Sequence, residues 1–391
     1  MNVQRKIRVL FLFEGLYGRG AERVSLSLAS QLDREQFEPR IWILRSVNDL
    51  AAEVPPDVRP HVALRPDQRI RHQLWSVPRD LLREAAQADV IVATVELMPT
   101  YFGFFAGLLT GKPVVGWVRN SLDRVLGQLP ALHRWLGRLI YPRLPRLVFV
   151  SHGLKDTLSR MFPLREERLS VIHNPLDLER VRALAAEPLP EWAAFMTRRA
   201  TVLGVGRLTK QKGFDLLIEA HAALRARGVE HDLLILGDGE QEQLQDLARR
   251  LGVEGSVHLP GYTANPYPFM RHAAVFALSS RYEGFANVIT EAMACGAPVV
   301  ATDCPSGPAE ILEGGRHGLL VPVNDSAALA QALGRVLEDG ALRQQLREVG
   351  LRRAQDFAPE RIVPAWEAVL RGAARQPGRG RRRTGRSRVR A

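Results

Sequence analysis

At 391 residues the chain is too long for one ordinary hydrophobic core, so two domains are expected. Its composition, 46% hydrophobic and 25% charged, is that of a soluble globular protein. Of the formal charge of +12, nine come from arginines after position 370, where no acidic residue occurs; the other 45 basic and 42 acidic residues make no case for a nucleic-acid partner.

The first apolar run, Val9–Phe13, is strand-length and stops at Glu14, so it reads as a strand rather than a signal peptide. Gly15, Gly18 and Gly20 follow, then an amphipathic helix over Ala21–Leu32 with Val24, Leu26, Leu28 and Leu32 at helical spacing. Short buried-strand patterns recur at Ile41–Leu44, Val90–Ala93, Pro113–Trp117 and Leu147–Val150. The most apolar stretch, Leu97–Thr110, falls short of the roughly 18 residues a spanning helix needs. With Pro99 inside it, a buried helix is expected, and contact with a membrane surface is the lesser reading.

Pro188 and Pro190 interrupt the pattern and mark a domain boundary within Ala185–Glu191. Strands then recur at Val202–Gly206, Leu233–Leu236, Ser256–Leu259, Val275–Leu278, Val299–Thr302 and Gly318–Val321. Helices are expected between them at Phe214–Arg225, Glu240–Leu251, Asn287–Cys295 and Ala327–Leu337. Continuous apolar strands alternating with helices imply α/β architecture: two doubly wound parallel sheets, facing each other across a cleft. The predicted division is residues 1–188, residues 189–358, a helix over 359–375 returning to the first domain, and an Arg-rich tail over 376–391. That tail is expected to be disordered; attraction to an anionic membrane is its functional reading and RNA a weaker one. Cys295 and Cys304 give no disulfide framework, which fits a reducing, cytoplasmic setting.

Ligands of open parallel sheets sit at the carboxyl ends of the strands, so the loops there matter most. After the strand ending at Gly206 come Arg207, Lys210, Lys212 and Gly213, cations placed at a helix start where a diphosphate could bind. A solvated basic loop explains the same residues. Gly237-Asp238-Gly239 is ordinary turn chemistry or a close approach to a ligand. After Leu278 comes Ser279-Ser280-Arg281-Tyr282-Glu283-Gly284-Phe285-Ala286-Asn287, and then a helix carrying Glu291. Gly284 permits a tight turn, and the N–H groups that follow suit anionic oxygen. Two carboxylates flanking such a helix start could accept hydrogen bonds from sugar hydroxyls. They could equally be solvated helix-start carboxylates.

The segment from Glu283 to Thr302, with its Glu-x7-Glu spacing, resembles the signature of family 4 retaining glycosyltransferases. Gly204–Leu208 with Lys212-Gly213, Gly237–Glu240, Gly318–Pro322, Gly20–Val24, Val150-Ser151 and Ile172–Asp177 are similar to that family in order and spacing. The resemblance implies a GT-B fold, two Rossmann-like domains with the nucleotide-sugar mainly in the second. It implies that Arg207 and Lys212 hold the diphosphate. It assigns the sugar hydroxyls to Glu283 and the ribose to Glu291, with Gly284, Phe285, Ala286 and Asn287 presenting the helix start. Gly18 and Gly20 would approach from the first domain, Gly237 would lie against the donor, and Tyr262 would lie near the base. Members often carry a histidine after the strand matching Pro113–Trp117, whereas this chain has Arg119 there, and Arg19 replaces a glycine of the early loop. A proton-carrying role at Arg119 is thereby put in doubt, because arginine stays protonated.

No Asp-x-Asp and no His/Cys cluster with ligand spacing occurs, so no metal or other cofactor is expected. Fixed cations and helix starts would then stabilise the leaving diphosphate of a UDP-sugar, favoured over a GDP-sugar. The segment Thr302–Glu310 is similar to bacterial members that build surface polysaccharide or lipid-linked oligosaccharide, implying a glycan or lipid-linked acceptor; with no run long enough to span, a cytoplasmic protein at most peripheral to the membrane is expected. Alternatives are a GT-B phosphorylase or epimerase, and a non-catalytic nucleotide-sugar-binding module.

Overall fold

Every apolar run predicted as a strand is one in the computed structural model, which describes residues 5–375 apart from 19, 48, 66–67, 69–72 and 74. The expected tail over 376–391 and Arg19 lie outside the described residues. The first sheet comprises β1 (Ile7–Phe13), β2 (Phe37–Arg45), β3 (His61–Leu64), β4 (Val90–Ala93), β5 (Val114–Val118), β6 (Arg146–Phe149) and β7 (Leu169–Val171). Its seven strands run in the order β3-β2-β1-β4-β5-β6-β7, all parallel. The second comprises β8 (Thr201–Val205), β9 (Asp232–Leu236), β10 (Val257–Gly261), β11 (Val275–Leu278), β12 (Val299–Thr302) and β13 (Leu319–Val321). Its six parallel strands run β10-β9-β8-β11-β12-β13. β3 and β7 escape the sequence reading because they are short edge strands, only partly buried, without a continuous apolar run.

The chain divides into two compact units, one of residues up to Phe149 with Lys155–Ile172 and the residues from Val363, the other of Val150–Leu154 and His173–Ile362. In the first, Trp366 of the last helix (Pro359–Ala374) is fully buried, its ring centroid 4.2 Å from that of Trp117. Glu367 accepts from the Asp33 N–H at 3.0 Å, and Arg371 donates to Gln36 at 2.9 Å.

The apolar stretch predicted as a buried helix is a helix, Met98–Thr110, but only one face of it is buried. That face is built from small residues. A Cβ on Gly107 would meet Val114 Cγ2 at 2.4 Å, and one on Gly103 would meet Leu12 at 3.3 Å. Tyr101 is buried with them, whereas Phe105, Leu108 and Leu109 point the other way and are 44%, 62% and 70% exposed. Close approach to the sheet selects glycine on the inner face, so hydropathy alone misassigned the outer one.

The second unit holds a buried polar chain. His231 Nδ1 lies 2.9 Å from the Val229 carbonyl, His221 Nδ1 lies 2.8 Å from His231 Nε2, and His221 Nε2 lies 2.8 Å from Ser256 Oγ. Neutral rings satisfy these three links when each Nδ1–H donates and the Ser256 hydroxyl donates to His221 Nε2 at 2.8 Å rather than to the Val253 carbonyl at 3.2 Å. Burial, reinforced by His231, lowers His221 to about 3; burial also lowers His231. A depressed histidine contributes stability above its unfolded value, near 6.5, that is lost as pH falls towards the folded value. Thermal unfolding should therefore show a midpoint that drops as pH is lowered below about 6.5, at up to about 1.4 kcal/mol per pH unit per histidine. His221→Asn, which cannot take up the proton, should flatten that slope.

Candidate functional site

Each sheet reverses its winding once, between β1 and β4 in the first unit and between β8 and β11 in the second. Such a switch point opens a crevice at the carboxyl ends of the strands. In the second unit the loops leaving β8 and β11 carry Lys212 and Glu283, and the two side chains meet there at 2.6 Å. Both are largely buried, with side-chain exposures of 14% and 9%. Glu283 also accepts from Ser280 Oγ at 2.7 Å.

These two loops are stitched together along their length. Ser279 Oγ donates to the Lys212 carbonyl at 2.8 Å, and the Arg281 N–H donates to the Gln211 carbonyl at 2.7 Å. Gln211 Nε2 donates to the Tyr282 carbonyl at 3.0 Å. Arg281 grips Asp215 with both terminal nitrogens, at 2.8 and 2.7 Å, and reaches the Lys210 carbonyl and Asn324 as well. No sequence pattern singles out Arg281, because its partners lie more than forty residues away along the chain. Gly213 makes the approach possible. Its φ is +63°, and a Cβ there would fall 2.1 Å from the Ser279 carbonyl oxygen.

The helix Asn287–Ala294 starts immediately beyond Glu283, with buried Ala286 in a left-handed conformation (φ +67°) at its N-cap. Phe285 is buried, its ring 5.1 Å from that of His173. Ser151 donates to the Gly284 carbonyl at 2.9 Å, and Asn174 donates to Asn287 Oδ1 at 2.8 Å. Ile289, Thr290, Ala292 and Met293 face the core, which leaves Glu291 on the partly exposed side with Asn287 and Val288. Val288 stands three residues before Glu291, and that i, i+3 relation places the two together.

Among the described residues, none of the remaining predicted ones of this unit makes a side-chain hydrogen bond to the Lys212–Glu283 pair. A Cβ on Gly237 would lie 1.8 Å from the Gly206 carbonyl oxygen, so neighbouring backbone already requires the glycine there. Tyr262, just beyond β10, is 64% exposed. Arg207 is exposed, and no ion pair or side-chain hydrogen bond joins it to the described residues. Cys304 is buried, and burial with the nearby Glu283 carboxylate pushes its thiol up to about 12, which makes it a poor nucleophile at neutral pH.

At the switch point of the first unit, Gly18 has φ +73° and Gly20 begins the helix Gly20–Gln31. Arg119, beyond β5, donates through Nη1 to the Ala21 carbonyl in that helix's first turn. It is 6% exposed, with its guanidinium carbon 3.5 Å from the Trp117 ring centroid. Burial lowers it to about 9, against the raising charges of Glu96 and Glu22, so it stays a cation at neutral pH. Glu96, which the sequence reading passed over although it follows β4, accepts from the Arg119 N–H and from Asn120 N and Nδ2 at 2.7 and 2.9 Å.

Residues 18–180 match the family described as Glycosyltransferase Family 4, and residues 199–339 match Glycosyl transferases group 1. The chain is 39% identical over 289 residues to the lipopolysaccharide core biosynthesis glycosyltransferase LpsE of Rhizobium meliloti, covering 72% of this chain and 75% of that one. The chain belongs to the family 4 glycosyltransferases. Another member is 32% identical over 273 residues, covering 69% of this chain and 71% of its own. It is the N-acetylgalactosamine-N,N'-diacetylbacillosaminyl-diphospho-undecaprenol 4-alpha-N-acetylgalactosaminyltransferase of Campylobacter jejuni. The fold of this glycosyltransferase is that of Anabaena HepE in complex with UDP, with a TM-score of 0.80 at 22% identity, over 94% of this chain and all of that one. Its two parallel sheets are accordingly a GT-B fold. Among the described residues no group of three or more His, Cys, Asp or Glu is placed to hold a metal ion.

Proposed function

We propose that this glycosyltransferase takes a sugar from a UDP-sugar, in preference to a GDP-sugar, and delivers it with retained anomeric configuration to a glycan or lipid-linked acceptor. The observation that carries the reading is the Lys212–Glu283 pair at the β8/β11 switch point, beside the start of the helix Asn287–Ala294. Lys212 and the helix start supply positive charge for a diphosphate, with exposed Arg207 adding to it. Glu283 and Glu291 offer acceptors to hydroxyl groups, and Tyr262 offers an aromatic face to a base. Transfer then breaks the bond from the anomeric carbon to the phosphate oxygen and forms one to the acceptor oxygen on the same face. The acceptor proton passes to the departing phosphate oxygen, UDP leaves, and no metal is needed. The UDP complexes of HepE support the nucleotide. The names of the Campylobacter and Rhizobium relatives support a role in bacterial surface polysaccharide or lipopolysaccharide assembly. The test is to incubate the protein with UDP-sugars and lipid-linked acceptors extracted from bacterial membranes, and to read the new linkage by NMR. Retained configuration supports the reading. An inverted product, or sugar release only with inorganic phosphate, contradicts it.

A peripheral position at the cytoplasmic face of a membrane is part of the same reading. Phe105, Leu108 and Leu109 lie on the exposed side of their helix, and Leu132 and Trp135 of the helix Ala131–Ile140 are 60% and 59% exposed. Tyr101 and His133 join the two helices, their ring centroids 5.9 Å apart. Arg124, Arg134 and Arg138 of the same stretch are exposed, and Asp123 is the only acidic residue from Met98 to Arg146. Exposed apolar and basic groups in one stretch of chain suit an anionic interface. The chain should co-sediment with vesicles of phosphatidylethanolamine and phosphatidylglycerol. The triple substitution Phe105→Ser, Leu108→Ser, Leu109→Ser should reduce that binding at least tenfold.

A further inference from the structure

The buried guanidinium of Arg119 is incompletely used. Nη1 is bonded to the Ala21 carbonyl, whereas Nε and Nη2 are without hydrogen-bond partners among the described residues, as is the nearby Trp117 Nε1. Glu96 does not answer this need, since its oxygens are directed at the backbone of Arg119 and Asn120 and at the Asn120 amide. Buried donors in native proteins are almost always paired, and an unpaired charged one is especially costly. The pattern is also specific. Nε and Nη2 form the side edge of the guanidinium, which presents two parallel N–H groups to two oxygens of a single carboxylate or phosphate, and with Nη1 already bonded it is the edge left to do so. Trp117 holds that plane from one face, at 3.5 Å. The site lies at the first turn of the twelve-residue helix Gly20–Gln31, whose N–H groups and dipole favour the same kind of ligand. It also lies at the switch point of the first sheet.

We propose that the N-terminal unit holds an anionic oxygen pair of a substrate on the Nε/Nη2 edge of Arg119, distinct from the diphosphate of the nucleotide. The proposal rests on the glycosyltransferase reading only in taking that anion to belong to a substrate. Its chemistry has two sources, a phosphate linking the acceptor to its carrier or the carboxylate of a hexuronic acid. Arg119 is then a specificity-determining residue, which selects charged over neutral substrates.

The experiment uses the full chain saturated with UDP, so that the nucleotide site is already filled. Inorganic phosphate, pyrophosphate and glucuronate are titrated in turn while tryptophan fluorescence is read. A saturable change is expected, because the anion would bind the guanidinium that stacks on Trp117. Arg119→Gln should weaken it at least tenfold, and Arg119→Lys, which keeps the charge but loses the fork, should weaken it as well. Trp117→Phe should remove the signal while anion-induced thermal stabilisation persists. A response to phosphate or pyrophosphate assigns a phosphate-linked acceptor; a response to glucuronate assigns a uronic acid. If the wild-type chain responds to none of the three while still binding UDP, the proposal is overturned and the donor reading stands. A response in the Arg119→Gln chain equal to that of wild type overturns it too. Failure to bind UDP in a chain that keeps the anion response removes the donor reading instead.

Discussion

Lys212→Ala is expected to lower kcat/KM for sugar transfer by about 10²–10³-fold, the loss typical of removing one preorganised donor from a developing charge. It should also destabilise the protein, because Glu283 would keep its burial and lose its cation. Removing one partner of a buried pair costs about 3–5 kcal/mol, an upper bound here given the bond from Ser280 and the partial exposure of Lys212. The two effects can be separated. The double substitution Lys212→Met, Glu283→Gln removes both charges together and should recover most of the melting temperature while recovering none of the transfer. Calorimetric unfolding and a transfer assay on the two chains check this. If the double variant regains transfer along with stability, the pair is a structural strut and the phosphate role is wrong.

Gly213→Ala should inactivate the protein without touching any charge. A side chain at φ +63° costs about 1–2 kcal/mol, and overpacking at a rigid contact typically adds about 1–3 kcal/mol. The larger part arises because the added carbon would lie 2.1 Å from the Ser279 carbonyl oxygen and force apart the loops that carry Lys212 and Glu283. Gly252→Ala is the matched control: its φ is +67°, but no atom lies within 4 Å of the added carbon. Gly252→Ala should lose only the conformational part and keep full transfer. Equal losses of stability and activity in the two variants would show that the contact between the loops does not matter.

The order of strands was largely legible because both sheets are parallel and covered, so that runs such as Val90–Ala93 and Val299–Thr302 are apolar without interruption. The edge strands β3 and β7 were not, since they are short and only partly buried and no continuous apolar run forms. Glu283 and Lys212 could be singled out separately by spacing and position after strands. Their contact could not, for it joins residues 71 apart and depends on the glycine between the loops. Arg281 was hidden for the same reason: its function is to hold Asp215, Lys210 and Asn324, which only the winding of the sheet brings together. The helix Met98–Thr110 shows the opposite failure. Its hydropathy was read correctly and its orientation was not, because glycines rather than leucines face the sheet. Arg119 was visible as an odd residue at a strand end, but its burial and its unpaired edge arise from the packing of Trp117 and the first turn of the helix Gly20–Gln31.

The most direct measurement is the binding of UDP to the wild-type chain and to Lys212→Ala by isothermal titration calorimetry, with GDP as the comparison nucleotide. Saturable one-to-one binding of UDP is expected, tighter than that of GDP and at least tenfold weaker in Lys212→Ala. Absence of UDP binding in the wild-type chain, or equal binding in the two, would contradict it.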